Sequence, residues 1–314
     1  MLTVAIVGLG KIAIDQHCRV IASGTDFRIG AVVSRRGLTV AEAPSFPMIS
    51  DMLAAEPAID AVVLCTPPIT HFSDAMTALH AGKHVLLEKP PTLTLSELAE
   101  LERAASSAGR TLFAAWHSRF NAGVEQLAER LREKTACALK IVWKEDVRRW
   151  HPGQAWIWQP GGFGVFDPGI NALSILTAVL PEGVSLRDAE LDVPENAAMP
   201  IAARLRLGMG LGPARFTADF DWRQTGPQTW DIEIRTTDGT FYELRNGGRT
   251  LLVDGTMTVD EPSREYELIY ERFAALIAGH ESDVDAAPLR LVADAFMVGR
   301  RNTVASFREG DGAG

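Results

Sequence analysis

Two stretches of the sequence carry side chains able to exchange a proton with a small molecule. Lys89 follows the apolar run His84–Leu87 and precedes two prolines, which predicts a lysine at the carboxyl edge of a parallel sheet. Open α/β sheets bind their ligands at that edge, where a lysine could polarise a hydroxyl group or relay its proton. Asp167 and Asn171 stand four residues apart, so a helix would place the carboxylate and the amide on one face. This spacing predicts acid–base chemistry on one small polar ligand.

Both stretches also have a purely structural interpretation. Lys89 could be an ordinary surface lysine, and Asp167 followed by Pro168 is typical of a helix start, with Asp167 as N-cap and Pro168 as the first helical residue. A helix N-terminus favours the ionised carboxylate, which keeps Asp167 available as a base but makes it a weaker one. These residues alone leave open whether Asp167 or Lys89 finally takes the proton.

A glycine-rich motif near the start of the chain predicts a nucleotide site. Gly8-Leu9-Gly10-Lys11-Ile12-Ala13 has the pattern G-x-G-x-x-A and stands between a strand and a helix. Gly8 permits the tight turn, Gly10 lets the backbone approach a pyrophosphate, and the helix start at Lys11 and Ile12 supplies N–H donors to the phosphates. The alternative is a glycine-rich surface turn. The position of the motif at the first strand of an α/β chain favours a dinucleotide cofactor.

The end of the second predicted strand bears on the choice of cofactor. An NAD-selective site usually places an acidic residue there for the ribose hydroxyls, whereas this chain has Ser34, Arg35 and Arg36. An acid would repel a 2′-phosphate, but arginine can bind it with paired hydrogen bonds. We predict that NADP is accepted and preferred, with NAD as the other cofactor. The alternative is a solvated basic loop.

The elements that would position these residues alternate in the first third of the chain. Short apolar runs predict buried strands at Thr3–Val7, Ile29–Val33, Ala61–Cys65, Val85–Leu87 and Leu112–Trp116. Helical periodicity lies between them at Ile12–Ala22, Ser50–Ala55, Thr70–His80 and Leu95–Ala108, and the last has a capping box, Thr94-x-x-Glu97. This alternation predicts a parallel α/β sheet.

The pattern changes after Arg119, so we predict two domains. Residues 1–120 are expected to form a dinucleotide-binding Rossmann domain, and residues 121–314 an α+β domain with a large open, mainly antiparallel sheet. In the second domain, helical periodicity appears at Val124–Glu133, Pro168–Leu180 and Ser263–Ala278, with a strand at Ala138–Asp146. A final helix at about 288–307 could pack back on the first domain.

Further residues suit a sugar-like ligand. Cys65-Thr66-Pro67-Pro68 follows the third of these strands, and its stiff turn could form a wall of the nicotinamide pocket. The chain has seven tryptophans against three tyrosines, and aromatic faces suit the apolar faces of pyranose rings. His117, Trp150 and Trp230 lie in such aromatic stretches and could contact the ligand. Core packing is the alternative for each tryptophan, and a structural histidine for His117.

These motifs together resemble the glucose–fructose oxidoreductase/inositol dehydrogenase (Gfo/Idh/MocA) family. The resemblance runs through Gly8-x-Gly10-x-x-Ala13, Thr66-Pro67-Pro68-x-x-His71, Ala81-Gly82-Lys83-His84-Val85 and Glu88-Lys89-Pro90, and covers nearly the whole chain. It implies a Rossmann domain, an open antiparallel sheet that commonly mediates oligomerisation, and cofactor contacts at Cys65, Thr66, Pro67, His71, Glu88 and Lys89.

Residues 143–153 and 161–174 resemble the narrower L-arabinose/D-galactose 1-dehydrogenase branch of this family. That resemblance implies catalysis by Lys89 and Asp167, with Asn171 holding the sugar, and sugar contacts at His117, Glu145, Trp150 and Trp230. The family often has a histidine where this chain has Asn171, which favours Asp167 as the base and Lys89 as polariser and relay. An inositol or other ring-hydroxyl dehydrogenase and a non-catalytic NADP-binding regulator are the alternatives.

Composition excludes other classes of function. The net charge of −9, without a basic stripe, argues against nucleic-acid binding, and no apolar stretch is long enough to span a membrane. Cys18, Cys65 and Cys137 lie far apart and lack metal-site spacing, which predicts no metal and a reducing compartment. The chain passes from Met1 directly into a strand-like run. We therefore expect a cytoplasmic protein, and the family resemblance implies a homo-oligomer, with a dimer favoured, that acts on a small aldose.

Overall fold

The computed structural model describes residues 1–180, 183–210 and 215–309. The chain divides into two compact units. The first contains Met1–His117 and Arg264–Ala286, and the second contains Ser118–Ser263 and Ala287–Gly314.

The first unit is built on a parallel sheet. Its strands are β1 (Leu2–Val7), β2 (Phe27–Val33), β3 (Ser45–Phe46), β4 (Ala61–Leu64), β5 (His84–Glu88) and β6 (Leu112–Ala115), in the order β3-β2-β1-β4-β5-β6. Every pairing between neighbours is parallel. The apolar runs that predicted strands are therefore confirmed, and residues that follow the strands collect at one edge of the sheet.

Helices cover this sheet. They are α1 (Cys18–Ser23), α2 (Ile49–Ala55), α3 (His71–His80) and α4 (Leu95–Ala108), and α4 begins with the predicted capping box of Thr94 and Glu97. Packing of their apolar faces on the strands buries a continuous core that includes Met52, Leu64, Leu79 and Leu101. The first helix differs from expectation, because Ala13–His17 forms a turn of π-helix before α1. The wider turn accompanies the burial of His17.

The second unit contains a mixed, mainly antiparallel sheet. Its strands are β7 (Ala136–Lys144), β8 (Val184–Pro194), β9 (Ala202–Met209), β10 (Phe216–Asp221), β11 (Thr229–Thr236), β12 (Phe241–Arg245), β13 (Thr250–Val253), β14 (Thr256–Asp260) and β15 (Arg300–Val304). The order is β14-β13-β12-β11-β7-β10-β9-β8-β15, and only the β7–β10 and β8–β15 pairings are parallel among the described residues. This matches the predicted α/β class with a Rossmann unit and a large open sheet.

The remaining helices are α5 (Ala122–Leu131), α6 (Val147–Trp150), α7 (Phe166–Val179), α8 (Glu265–Gly279) and α9 (Ala287–Val298). Within the second unit, α7 packs against α5, α9 and β7. Outward positions of the sheet carry cross-strand ion pairs, such as Arg206 with Asp188 and Arg204 with Asp192.

The C-terminal part of the prediction was wrong. The expected helix at about 288–307 ends at Val298, and Arg300–Val304 is a strand that pairs with the open edge of β8. Gly299 stands at the break, and the edge of β8 offers backbone hydrogen bonds that a longer helix would forgo. Both α9 and β15 belong to the second unit, and the late helix that belongs to the first unit is α8. The exact domain boundaries stay a proposal.

No helix within the described parts of the chain is both long and apolar enough to cross a bilayer.

Candidate functional site

The glycine-rich motif forms the turn from β1 into the first helix. Gly8 has a φ of +90°, and a Cβ placed on it would lie 2.8 Å from Cγ2 of Thr66, so only glycine fits there. A Cβ on Gly10 would meet no atom of the described chain within 4 Å, so the space beside its backbone is open. Ala13 is fully buried beneath this turn. The approach of a pyrophosphate to the backbone of Gly10 stays a prediction.

Two predicted contacts lie on the exposed side of this turn. Lys11 and Ile12 are both solvent-exposed, and the ammonium group of Lys11 forms an ion pair with Asp15 one helical turn later. Contact of Lys11 and Ile12 with a phosphate stays a prediction. The side chains point away from the core, as expected for residues whose backbone N–H groups would serve the ligand.

The three residues that follow β2 differ in burial and in their hydrogen bonds. Ser34 is buried, and its hydroxyl oxygen accepts a hydrogen bond from the N–H of Leu38 at 3.3 Å. Arg36 donates from Nη2 to the carbonyl oxygen of Leu9 at 3.4 Å, which ties it to the glycine-rich turn. Arg35 is exposed. The preference for a 2′-phosphate stays a prediction, and the exposed guanidinium groups are better placed for it than the buried serine hydroxyl.

His71 has a structural environment. Its Nε2 lies 2.7 Å from the carbonyl oxygen of Thr66, and its Nδ1 lies 3.1 Å from that of Pro90, so the ring joins the ends of β4 and β5. Burial lowers its pKa, although these carbonyl groups act in the opposite direction. Because His71 is fully buried, it has no exposed surface for direct contact with a nucleotide. We assign it to holding Thr66 and Pro67 in place, and the buried thiol of Cys65 precedes them.

Glu88 is the centre of a buried hydrogen-bond network at the end of β5. Its Oε1 accepts from Nε2 of His17 at 2.9 Å and from the hydroxyl of Tyr266 at 2.8 Å, and its Oε2 accepts from the N–H of Lys89 at 3.0 Å. The hydroxyl of Tyr270 lies 2.9 Å from Nδ1 of His17. Glu88 therefore orders the backbone of Lys89 instead of lining a ligand surface, which revises its predicted cofactor contact.

The network makes stability depend on pH. Burial alone would raise the pKa of Glu88, but the hydrogen bond and charge of His17 outweigh it and lower the pKa from 4.5 to about 2. A lowered carboxyl pKa stabilises the fold above pH 4.5, and this contribution is lost as the pH falls toward 2. We expect Glu88→Gln to remove this pH-dependent part, on the order of 3 kcal/mol.

Urea unfolding of the wild type and the variant at a series of acidic pH values measures this difference. Glu102→Gln, at an exposed position of α4, is the matched control, and its free energy of unfolding should vary with pH as in the wild type. If the free energy of unfolding of Glu88→Gln varies with pH as in the wild type, the ionised carboxylate does not stabilise the fold.

His117 follows β6 at the same edge of the sheet. Its Nδ1 donates to Oε2 of Glu265 at 3.0 Å, and its ring stacks on Tyr266 at 5.7 Å. Burial lowers the pKa of His117, but the carboxylate of Glu265 outweighs that effect and raises it above the ordinary value. The imidazole is half-buried, and its contact with sugar hydroxyls stays a prediction. Trp116, by contrast, is buried and donates its indole N–H to the carbonyl oxygen of Asp285, a packing role.

In the second unit, two indole groups hold Glu145. Nε1 of Trp222 donates to Oε1 at 3.1 Å, and Nε1 of Trp230 donates to Oε2 at 2.9 Å. The ring of Trp230 also packs on that of Trp150, with centroids 5.6 Å apart. The indole N–H of Trp150 is buried without an acceptor among the described residues. The structure therefore brings together three residues that the sequence assigned to a sugar, namely Glu145, Trp150 and Trp230.

Asp167 lies in the first turn of α7, but not as predicted. The N-cap of α7 is Val165, so Asp167 is the second helical residue and Pro168 the third. The predicted capping role is wrong, because the helix begins earlier, at Phe166. A tight turn at Gly161–Gly164 precedes it, where a Cβ on Gly164 would lie 2.3 Å from the carbonyl oxygen of Pro200. Asp167 is buried, and Asn171 is half-buried one turn later on the same helix.

Sequence reasoning missed several contacts of these residues. His17, Tyr266 and Glu265 come from distant segments, and His151, which pairs with Asp167 at 3.2 Å, comes from the loop after α6. The only signal for His151 was its position beside Trp150. Within residues 1–180, 183–210 and 215–309, no group of three or more His, Cys, Asp or Glu side chains could hold a metal ion.

Comparisons with known proteins agree with this architecture. A family model described as an oxidoreductase family with an NAD-binding Rossmann fold matches residues 2–116. Galactose 1-dehydrogenase of Pseudomonas fluorescens is 43% identical over 304 residues, which cover 96% of this chain and 97% of that protein. The chain belongs to the Gfo/Idh/MocA oxidoreductase family.

Solved structures extend the likeness to both units of this family member. The crystal structure of D-galactose-1-dehydrogenase from Rhizobium etli has a TM-score of 0.92, is 51% identical and covers 98% of each chain. A mutant 3-ketoreductase from Actinomadura kijaniata, solved with TDP-benzene and NADP, has a TM-score of 0.85 and covers 96% of this chain and 99% of its own. At 18% identity, the latter shows the fold alone.

Proposed function

We propose that the chain oxidises C1 of an aldopyranose to the aldonolactone, with NADP or NAD as hydride acceptor. The observation that carries this proposal is the 43% identity to a galactose 1-dehydrogenase over 97% of that protein, which includes the second unit with Asp167 and Asn171. The cofactor domain alone would support only an oxidoreductase. The buried acid, the amide one turn later and the tryptophan pair supply groups suited to a sugar.

The residues of this chain have distinct parts in the proposed reaction. When bound at the glycine-rich turn, the nicotinamide supplies the hydride acceptor. Asp167 takes the proton of the C1 hydroxyl, and the ammonium group of Lys89 polarises that oxygen and relays the proton. Asn171 and His117 hold neighbouring hydroxyls. Glu145, whose oxygens each accept an indole N–H, orders Trp230 against the sugar.

We infer that L-arabinose and D-galactose are both substrates. Their pyranose forms share stereochemistry from C1 to C4 and differ mainly in the exocyclic CH₂OH of galactose. A pocket discriminates such a group only modestly, so overlap is expected. Initial rates of NADPH and NADH formation with L-arabinose, D-galactose, D-fucose, D-xylose and D-glucose test this, with NMR of the products to identify the oxidised carbon.

Each outcome of that assay has a definite meaning. A lactone from the sugars of galactose-like stereochemistry supports the proposal. A ring ketone would instead indicate a ring-hydroxyl dehydrogenase. Binding of cofactor without oxidation of any sugar would indicate a regulator and would refute the enzymatic assignment.

Cofactor preference is a separate prediction. The double variant Ser34→Asp/Arg35→Ala adds an acid that favours ribose hydroxyls and removes a guanidinium group that can bind a 2′-phosphate. We expect the NADP/NAD ratio of kcat/KM to fall at least about tenfold, which corresponds to about 1.4 kcal/mol. Arg103→Ala, on α4, is the control with the same loss of charge. An unchanged ratio would contradict the assignment of these residues.

A cytoplasmic homodimer also remains a proposal. Cys18, Cys65 and Cys137 are all free thiols, which supports a reducing compartment. The mass of the protein in solution tests the oligomeric state.

A further inference from the structure

Asp167 has a histidine partner in its own unit. Nε2 of His151 lies 3.2 Å from Oδ2 of Asp167, and the two side chains are 17% and 6% exposed. The short helix α6 places this histidine: Asp146 caps its start by accepting from the N–H of Arg148, and the N–H of His151 donates to the carbonyl oxygen of Val147. Hydrogen bonds of the α6 backbone therefore hold His151 in place beside Asp167.

The contact made by the other ring nitrogen, Nδ1, indicates where the ring of His151 carries a proton. Nδ1 lies 3.4 Å from Oε1 of Gln154, and the same Oε1 accepts from the indole N–H of Trp156 at 3.1 Å. An indole nitrogen can only donate, so the atom that faces it must be the amide oxygen of Gln154. An amide oxygen accepts but does not donate. Nδ1 of His151 must therefore carry a proton for the contact to be a hydrogen bond.

This assignment restricts the bond to Asp167. A neutral imidazole protonated at Nδ1 has a lone pair at Nε2, and a lone pair cannot bond to an ionised carboxylate. The 3.2 Å contact thus requires one proton between Nε2 and Oδ2. Glu145 is a further acid in the second unit; it accepts from the indole N–H of Trp222, whose ring lies 5.2 Å from the imidazole of His151.

We propose that His151 and Asp167 share a single proton and act as one acceptor for the C1 hydroxyl proton. This inference rests on the proposed function. The pair holds its shared proton before the reaction. The O–H bond at C1 breaks and its proton enters the Asp167–His151 pair as a second proton, while the hydrogen on C1 leaves with its electron pair as hydride to the nicotinamide cofactor. The products are lactone, reduced cofactor and one proton, which the pair later releases to water. His151 is a positioning residue, because the shared proton fixes Oδ2 of Asp167 at 3.2 Å from Nε2.

NMR of the ligand-free protein labelled with ¹⁵N-histidine tests the pair without any enzymatic activity. The chain has seven histidines, and loss of one signal in His151→Gln assigns His151. We expect Nδ1 to stay protonated around neutral pH while the Nε2 signal moves with pH. In Asp167→Asn, Nε2 should stay unprotonated because the new amide donates to it. A neutral ring protonated only at Nε2 would overturn the proposal.

Kinetics supply the second readout. We expect His151→Gln to lower kcat by about ten- to a hundredfold and to change its pH profile, with KM and cofactor affinity nearly unchanged. His80→Gln, at an exposed end of α3, is the control and should match the wild type. Wild-type kcat and pH profile in His151→Gln would overturn the proposal.

The two readouts separate this inference from the proposed function. If no sugar is oxidised but NMR shows the shared proton, the pair stands and the function is wrong. If sugars are oxidised but His151 carries its proton only at Nε2, the function stands and the shared proton is wrong.

Discussion

Asp167→Asn should lower kcat about a thousandfold while the affinity for NADPH stays within about twofold of the wild type. Asp167 is buried in the first turn of α7 and is not its N-cap, so the substitution removes no capping interaction from the start of the helix. The expected loss comes from the base that accepts the proton of C1. Stopped-flow or steady-state NADPH formation gives kcat, and calorimetric titration gives the cofactor affinity.

Asp192→Asn is a matched control for this prediction. Asp192 is also a buried aspartate of the second unit, but it pairs with Arg204 and Asn302 on the sheet. Its substitution should lower the unfolding temperature without a large effect on kcat. If Asp167→Asn folds and keeps kcat within about twofold of the wild type, Asp167 is not the base.

Lys89→Met should lower kcat about a hundredfold with little change in cofactor affinity. Lys89 follows β5 at the carboxyl edge of the sheet, and Glu88 orders its backbone N–H. Methionine retains much of the apolar stem and removes the ammonium group that would polarise the C1 oxygen. The effect should therefore appear in kcat more than in folding or in nucleotide binding.

The same strand offers the control. Lys83 precedes β5, at the opposite edge of the sheet, and donates to the carbonyl oxygen of Pro57 at 2.8 Å. Lys83→Met removes an equal charge at the other end of β5 and should leave kcat at the wild-type value. Equal effects in both variants would indicate a general loss of stability or charge, and would exclude a catalytic role for Lys89.

The local order of the first unit was readable from the sequence because its signals are short-range. Apolar runs predicted the cores of β1, β2, β4, β5 and β6, and the capping box predicted the start of α4 at Leu95. The glycine spacing predicted the turn after β1, since a φ of +90° at Gly8 and the nearness of Thr66 tolerate no side chain. The parallel edge then followed from alternation of strands and helices.

Other features had no short-range signal. The partners of Glu88 lie 71 and 178 residues away, at His17 and Tyr266, and only the packing of α8 in the first unit brings the tyrosine there. β15 was misread as helix because its identity depends on an open strand edge, which the local pattern does not contain.

The sequence by itself determined the chemistry available to this protein: a glycine turn for a dinucleotide, Lys89 at a strand end, and Asp167 and Asn171 on one helix. Those assignments depend on residue type and spacing along a few turns or strands. Only the tertiary structure decided the partners that tune these groups, because hydrogen bonds such as that of Glu88 with His17, or the pairing of Asp167 with His151, form between segments that packing brings together. Burial then strengthens each such contact, because a hydrogen bond is electrostatically stronger inside a protein than in water.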